Sequence, residues 1–302
     1  MDTRILVGTE SGLWELRGDA LEPVDQFAAR TITALARSGP ETWAIVDGRT
    51  LWHGAAREWT ERASLGDQPA TCLAPMPQAL LIGTAQAHLL RFAGDKLEPV
   101  ESFERVPGRN GWYTPWGGPP AVRSLSHDGA RTYVNVHVGG IPASSDAGRV
   151  WEPTLEVDAD AHQALALAER PGTVLAATAR GLAISEDEGA SWRFETDGLA
   201  ATYCRAVAVA GENCLLTASR GPRGGQSAVY RRGIAKSGPF ERCREGLPEW
   251  FEANIDTHCL AAAGEACAFG TRDGAVYGSR DGGAAWELLE EGLPPVRCVL
   301  LR

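Results

Sequence analysis

The pattern Ser-x-Asp-x-Gly-x-x-Trp occurs three times in this chain, as SSDAGRVW from Ser144 to Trp151, SEDEGASW from Ser185 to Trp192 and SRDGGAAW from Ser279 to Trp286. Each copy suits a tight hairpin. The Ser and Asp side chains can bond to local backbone, the Gly accepts a positive φ, and the Trp turns back into a strand where it can pack. A repeated hairpin implies a repeated unit, so internal repeats constrain this fold before anything else does.

A short first strand of polar, small and aliphatic residues recurs as TALA from Thr33, TCLA from Thr71, RSLS from Arg123, QALA from Gln163, RAVA from Arg205, HCLA from His258 and RCVL from Arg297. A second strand follows each, ending at Asp47, Thr84, His137, Thr178, Ser219 and Thr271, with Thr9 completing the set. Third and fourth strands flank the boxed hairpin, as in GLAISEDEGASWRFE and AVYGSRDGGAAWELL. A repeat of about 40–45 residues with four strands is the signature of a β-propeller. The prediction is an all-β fold, a seven-bladed propeller of four antiparallel strands per blade, forming one domain over 1–302. Its blades fall near 31–66, 69–103, 121–156, 161–197, 203–243 and 256–290, and the last joins 296–302 to 3–27. RILVGTESGLWELRGDALEPV supplies three strands of that blade and VRCVLLR the remaining one, so the two ends share a sheet and leave no open edge. Such closure is expected to leave no room for a terminal extension.

Composition agrees with many short strands: there are 35 Gly and 10 Trp. No apolar run of roughly 18 residues is present, so no membrane span is expected, and the opening MDTRILVGTESG does not read as a secretory signal. A net charge of -10 argues against general nucleic-acid binding. Seven cysteines without metal-type pairing point to reduced, mostly buried thiols in a cytoplasmic protein. Cys72, Cys259 and Cys298 take the small inward position of first strands, while Cys204 and Cys243 border loops and are expected to be the more accessible thiols.

On Ser144, Asp146, Gly148 and Trp151, with their counterparts at 185–192 and 279–286, the chain resembles the BNR or Asp-box repeat propellers. That group includes sialidases, sortilin-type receptors and photosystem assembly factors. The resemblance implies that the boxes are structural and lie away from the ligand face. It does not extend to sialidase chemistry: no RIP-type motif precedes a first strand, the blade count is seven rather than six, and no tyrosine nucleophile with a paired glutamate can be assigned.

Function is therefore sought on the opposite rim, where departures from the repeat collect. ESFERVPGRNGWYTPWGGPPA (101–121) and CREGLPEWFEANID (243–256) are long insertions, and SRGPRGGQSA expands the turn after Ser219. They bring Trp112, Tyr113, Trp116, Trp250 and Phe251, either as a small satellite core or as a ligand platform. The first strands of three blades begin with Arg123, Arg205 and Arg297, which suggests an anion clamp unless Asp160, Asp256 or Glu252 pairs them internally. Arg220, Arg223 and Arg272 add positive charge to that rim.

His137, with the DAH of Asp160 to His162 and the DTH of Asp256 to His258, could bring imidazoles and carboxylates together as metal ligands. His162 stands one register out from His258 in the strand alignment, however, so neither a metal nor any other cofactor is expected. The reading is a monomeric propeller that binds an anionic small molecule or a protein segment at the channel mouth through Arg123, Arg205, Arg297, Arg220, His137, His258, Trp112, Tyr113, Trp116 and Trp250. The alternative is a hydrolase or lyase on an anionic, sugar-like substrate, with His137, His258 or Glu252 as proton carriers.

Overall fold

The computed structural model describes residues 4–55, 58–235 and 238–302. Seven four-stranded sheets form the blades of an all-β seven-bladed propeller, each sheet running antiparallel from an inner to an outer strand. The chain divides into two compact units, one spanning 36–195 and the other joining 1–35 to 196–302. No helix among the described residues is long and apolar enough to cross a membrane.

In the 36–195 unit the second strands are the most deeply placed. Thr132–Val136 and Val174–Thr178 are almost wholly buried, while the outer strand Glu58–Ser64 is mostly solvated. Runs such as VLAAT carry apolar side chains on both faces because both faces are covered by neighbouring blades. An inner strand also has an edge of unpaired N–H groups to satisfy. The Ser124 and Ser126 hydroxyls do this across adjacent blades, accepting from the N–H groups of Ala164 and Ala166 at 2.9 Å each. Gly83 is required where it stands, because a Cβ there would collide with Val122 and the Cys72 Sγ.

In the other unit the two ends of the chain meet in one sheet. Val296–Leu301 pairs antiparallel with Ile5–Thr9, from Ile5 opposite Leu301 to Thr9 opposite Val296. Gly8 leaves the space that Cys298 and Ile32 fill. Beside this blade Phe269 stacks on Tyr277 at 5.0 Å between ring centroids and meets Trp286 edge-on at 4.9 Å.

The three boxed hairpins share one bonding scheme, and it accounts for the tryptophan beside a wet turn. In the second copy Ser185 Oγ accepts from the Gly189 N–H at 2.8 Å and donates to Asp187 Oδ1 at 2.8 Å. Asp187 Oδ1 in turn accepts from the Ser191 N–H at 2.9 Å. The copies at Ser144 and Ser279 repeat these contacts through Asp146 and Asp281. Side chains thus satisfy the turn's own donors, leaving the Trp free to pack: Trp151 and Trp286 are buried, and Trp286 Nε1 donates to the Gly283 carbonyl at 3.1 Å.

Trp286→Ala should destabilise the protein by about 3–5 kcal/mol, the usual cost of emptying a buried aromatic site, read as a lowered urea midpoint. A second expectation concerns pH. The hydroxyl and N–H of Ser191, with the Ser185 hydroxyl, donate to Asp187 and lower its pKa from 3.8 to about 2. Its folded-state value is depressed, so its contribution is present above about pH 4 and is lost as pH falls through about 2. Asp187→Asn should therefore be less stable than the parent at neutral pH, and the gap between their unfolding free energies should close towards pH 2.

Candidate functional site

The first long insertion is anchored from its base. It begins in a 3-10 turn, Glu101–Arg105, whose Phe103 is fully buried and meets Trp151 edge-on at 5.2 Å. Trp112 closes over the same cluster, 5.8 Å from Phe103, with the Arg109 guanidinium 4.7 Å above its ring and Arg109 paired to Glu104 at 2.8 Å. Beyond Trp112 the chain lies along the turn after Thr132–Val136: the Tyr113 N–H reaches the Val138 carbonyl at 3.4 Å, and the His137 N–H donates to the Ala121 carbonyl at 2.8 Å. Between these ties Thr114 Oγ1 donates to the Gly118 carbonyl at 2.7 Å and closes a small loop. That loop holds Tyr113 and Trp116 outward, at 53% and 65% exposure.

The Trp116 ring does not stand alone, since His137 lies 5.2 Å from it. His137 is fixed by a strained turn: Val138, a β-branched residue, sits at φ 55°, and the Val136 N–H closes the turn on the Gly140 carbonyl at 3.0 Å. From the next blade come two more groups. Asp160 ends the 3-10 turn Val157–Ala159 in the left-handed region, at φ 48° and ψ 64°, and its carbonyl accepts from the Ala179 N–H at 3.1 Å. His162 follows in the strand Ala161–Ala166 and is fully buried. The Asp160 carboxylate faces both rings, with Oδ1 3.3 Å from His137 Nε2 and Oδ2 3.5 Å from His162 Nε2. Burial alone would raise its pKa, but the two imidazoles that face the carboxylate outweigh this and hold it far below the ordinary carboxylate range.

Strand register explains how His162 reaches this place. Ala161 pairs with Thr178 and Gln163 with Ala177, so His162 is the extra residue of a β-bulge. Thr71, Arg123 and Arg297 are the extra residues of equivalent bulges in their own blades. His162, and not Gln163, is therefore the counterpart of Arg123, which corrects the strand alignment by one residue. Arg123 itself is half-buried, at the end of the ladder where Val122 pairs with Val136 beside His137.

In the 196–302 unit the expected site residues serve mainly to tie loops down. Arg205 NH1 pairs with Asp256 Oδ1 at 3.2 Å, its NH2 reaches the Pro222 carbonyl at 3.4 Å, and its guanidinium lies 5.1 Å from the Tyr203 ring. Arg297 is 49% exposed and lies 3.4 Å from Glu10. Trp250 carries the Arg242 guanidinium at 4.1 Å, and Phe251 packs edge-on against Phe269 at 5.5 Å while its backbone bridges to Ser227. His258 takes the left-handed region at φ 65°, with its carbonyl accepting from the Val299 N–H at 2.8 Å. Arg220, Arg223, Glu252 and Arg272 are exposed.

Two expectations about thiols need correction. Cys204 and Cys243 are buried like the other five: Cys204 lies within the strand Tyr203–Ala210 opposite Ala218, and the Cys243 N–H bonds to the Val229 carbonyl at 2.9 Å. Burial pushes Cys243 up to about 11 and Cys72 up to about 12. A groove of about 620 Å³ lies elsewhere, against the boxed hairpin of Ser144 and lined by Arg91, Arg131, Arg149 and His127. Two of its arginines are engaged, Arg91 with the Ala147 carbonyl at 2.8 Å and Arg131 with Glu188 at 3.5 Å.

No family model matches this chain, and no curated protein matches it. Solved structures do. The GH74 xyloglucanase from Xanthomonas campestris is 14% identical with a TM-score of 0.62 over 95% of this chain. The chain spans only 46% of that enzyme's length. The WD40 repeats of RRP9 are 15% identical with a TM-score of 0.59, covering 98% of this chain and 84% of theirs. YCF48, solved bound to a D1 peptide, is 15% identical with a TM-score of 0.48, covering 95% of this chain and 80% of its own. At such identities the likeness is one of propeller fold.

A thiol-specific chromogenic reagent should find all seven cysteines unreactive in the native protein and all seven reactive after unfolding in denaturant.

Proposed function

We propose that this chain is an Asp-box propeller of the BNR type that acts by binding, taking an anionic ligand against the insertion-bearing end of the third and fourth blades. The observation that carries this reading is the mounting of Trp116. An indole that is 65% exposed contributes little to folding, yet Phe103, Trp112 and the Thr114 to Gly118 bond are all spent on fixing the loop that presents it. A rigid aromatic surface held towards solvent suits a partner that covers it. Arg123 and His137, at the adjoining end of one ladder, supply the polar complement.

Of the three arginines expected to clamp an anion, this reading keeps Arg123 for its position, at the end of the ladder beside His137 and in the same unit as Trp116. Arg205 is occupied by Asp256, and Arg297 stands beside Glu10. An enzyme would need an acid and a base set across a substrate; His137 instead shares one carboxylate with His162, an arrangement better suited to holding than to proton exchange. Binding is therefore favoured over a hydrolase or lyase.

The reading can be checked by thermal shift against uronic acids, sugar phosphates and acidic peptides. At least one anionic class should raise the melting temperature of the parent protein. Trp116→Ala should weaken that ligand by about fivefold, in line with the ~1 kcal/mol expected of an aromatic contact. Arg123→Ala should weaken it at least as much, with unchanged circular dichroism. A response to neutral ligands only, or one that neither substitution alters, would contradict the proposal.

A further inference from the structure

We propose that His137, Asp160 and His162 are the protein ligands of a divalent transition-metal site with one coordination position open to solvent. One ligand atom from each residue can be chosen so that all three lie within 4.8 Å of one another. Their spacing leaves room for a metal between them. A zinc ion with ligands at about 2.0–2.1 Å sets neighbouring ligand atoms about 3.3–3.4 Å apart in a tetrahedron. The structure places His137 Nε2 3.3 Å from Asp160 Oδ1 and His162 Nε2 3.5 Å from Asp160 Oδ2, so each imidazole stands at about that separation from one carboxylate oxygen, and one ligand atom from each residue lies within 4.8 Å of the other two. Direct charge-assisted hydrogen bonds would draw these pairs to about 2.7–2.9 Å.

The backbone shows how the three side chains converge. His162 leaves strand alternation through a bulge, Asp160 is held at φ 48°, and Val138 beside His137 is held at φ 55°. Three local departures from relaxed backbone, in two adjacent blades, bring two imidazoles and a carboxylate to one point. Of these, Val138 is the strained one, a β-branched residue in the left-handed region, and strain of that kind gathers at ligand-holding sites. Two imidazoles with one carboxylate select a borderline transition metal of the zinc or iron(II) kind over magnesium or calcium, which prefer all-oxygen shells.

The three ligands are not buried alike. His162 is enclosed, whereas the side chains of His137 and Asp160 keep 15% and 28% exposure. The cage is thus closed on the protein side and open towards the rim where Trp116 lies. Three protein ligands and an open position is the pattern of sites that take an exogenous ligand on the metal. This inference goes beyond the anion-binding reading and does not require it, since it stands on the chain's own ligand set.

The test uses the full chain stripped with a chelator, then titrated with zinc by calorimetry and with cobalt(II) by visible absorption. One equivalent should bind, cobalt(II) should give the intense d–d bands of a four-coordinate site, and zinc should raise the melting temperature. His137→Gln and Asp160→Asn should each weaken binding by at least about tenfold, the scale associated even with losing a metal's outer partners. Both positions are partly exposed, and Asn tolerates the left-handed backbone at 160, so these variants remain informative if His162→Gln fails to fold. Absence of stoichiometric binding by the parent protein, or binding that survives both substitutions, would overturn the proposal. Metal binding without any anion response would leave this inference standing and remove the anion reading; the reverse pattern would do the opposite.

Discussion

The candidate site depends on a defect in strand pairing. In five blades the inner strand carries one residue more than its partner can match, near the same end of the ladder. A regular strand sends alternate side chains to opposite faces, which in a propeller means into one neighbouring blade or the other. A bulge breaks that alternation and re-aims one side chain per blade. The position can then hold threonine in one blade, arginine in another and histidine in a third, while the residues after it continue to pack.

Charge gives the site its character. Arg123 and Asp160 contribute opposite unit charges, and neutral imidazoles at His137 and His162 would leave the face close to balanced in a chain whose overall charge is -10. A divalent cation between the imidazoles and the carboxylate would reverse the local sign and make the rim attractive to anions. The inferred metal and the proposed ligand class are thus physically compatible. The exposed indole of Trp116 supplies apolar contact at the side of such a centre, and the tie of Tyr113 to Val138 fixes its loop relative to His137.

Much of the fold was legible because its devices are local. Ser, Asp, Gly and Trp at fixed spacing announce the hairpin whose hydrogen bonds the structure displays, and the split blade follows from strand-like segments at both ends. The site was legible only in pieces. His137, Asp160 and His162 each stood out by residue type, but a bulge consumes one residue without any mark in sequence, so the pattern QALA aligned one position late. Aromatic loop residues were equally ambiguous: Trp112 and Trp250 lie half-buried beneath arginines at 4.7 and 4.1 Å, whereas Trp116, four residues beyond Trp112, is presented to solvent. What separates them is packing, of Trp112 on Phe103 and Arg109 and of Trp250 under Arg242, which strand and turn propensities do not encode. Cys204 and Cys243 follow the same rule, because nearness to a loop in sequence does not expose a thiol that packing encloses.

The most direct check on the account is a crystal structure of the zinc-loaded protein with data collected on both sides of the zinc absorption edge. The account predicts an anomalous peak about 2.0–2.2 Å from His137 Nε2, His162 Nε2 and an Asp160 oxygen. Two imidazoles bonded straight to the Asp160 carboxylate, with no peak between them at saturating zinc, would contradict it.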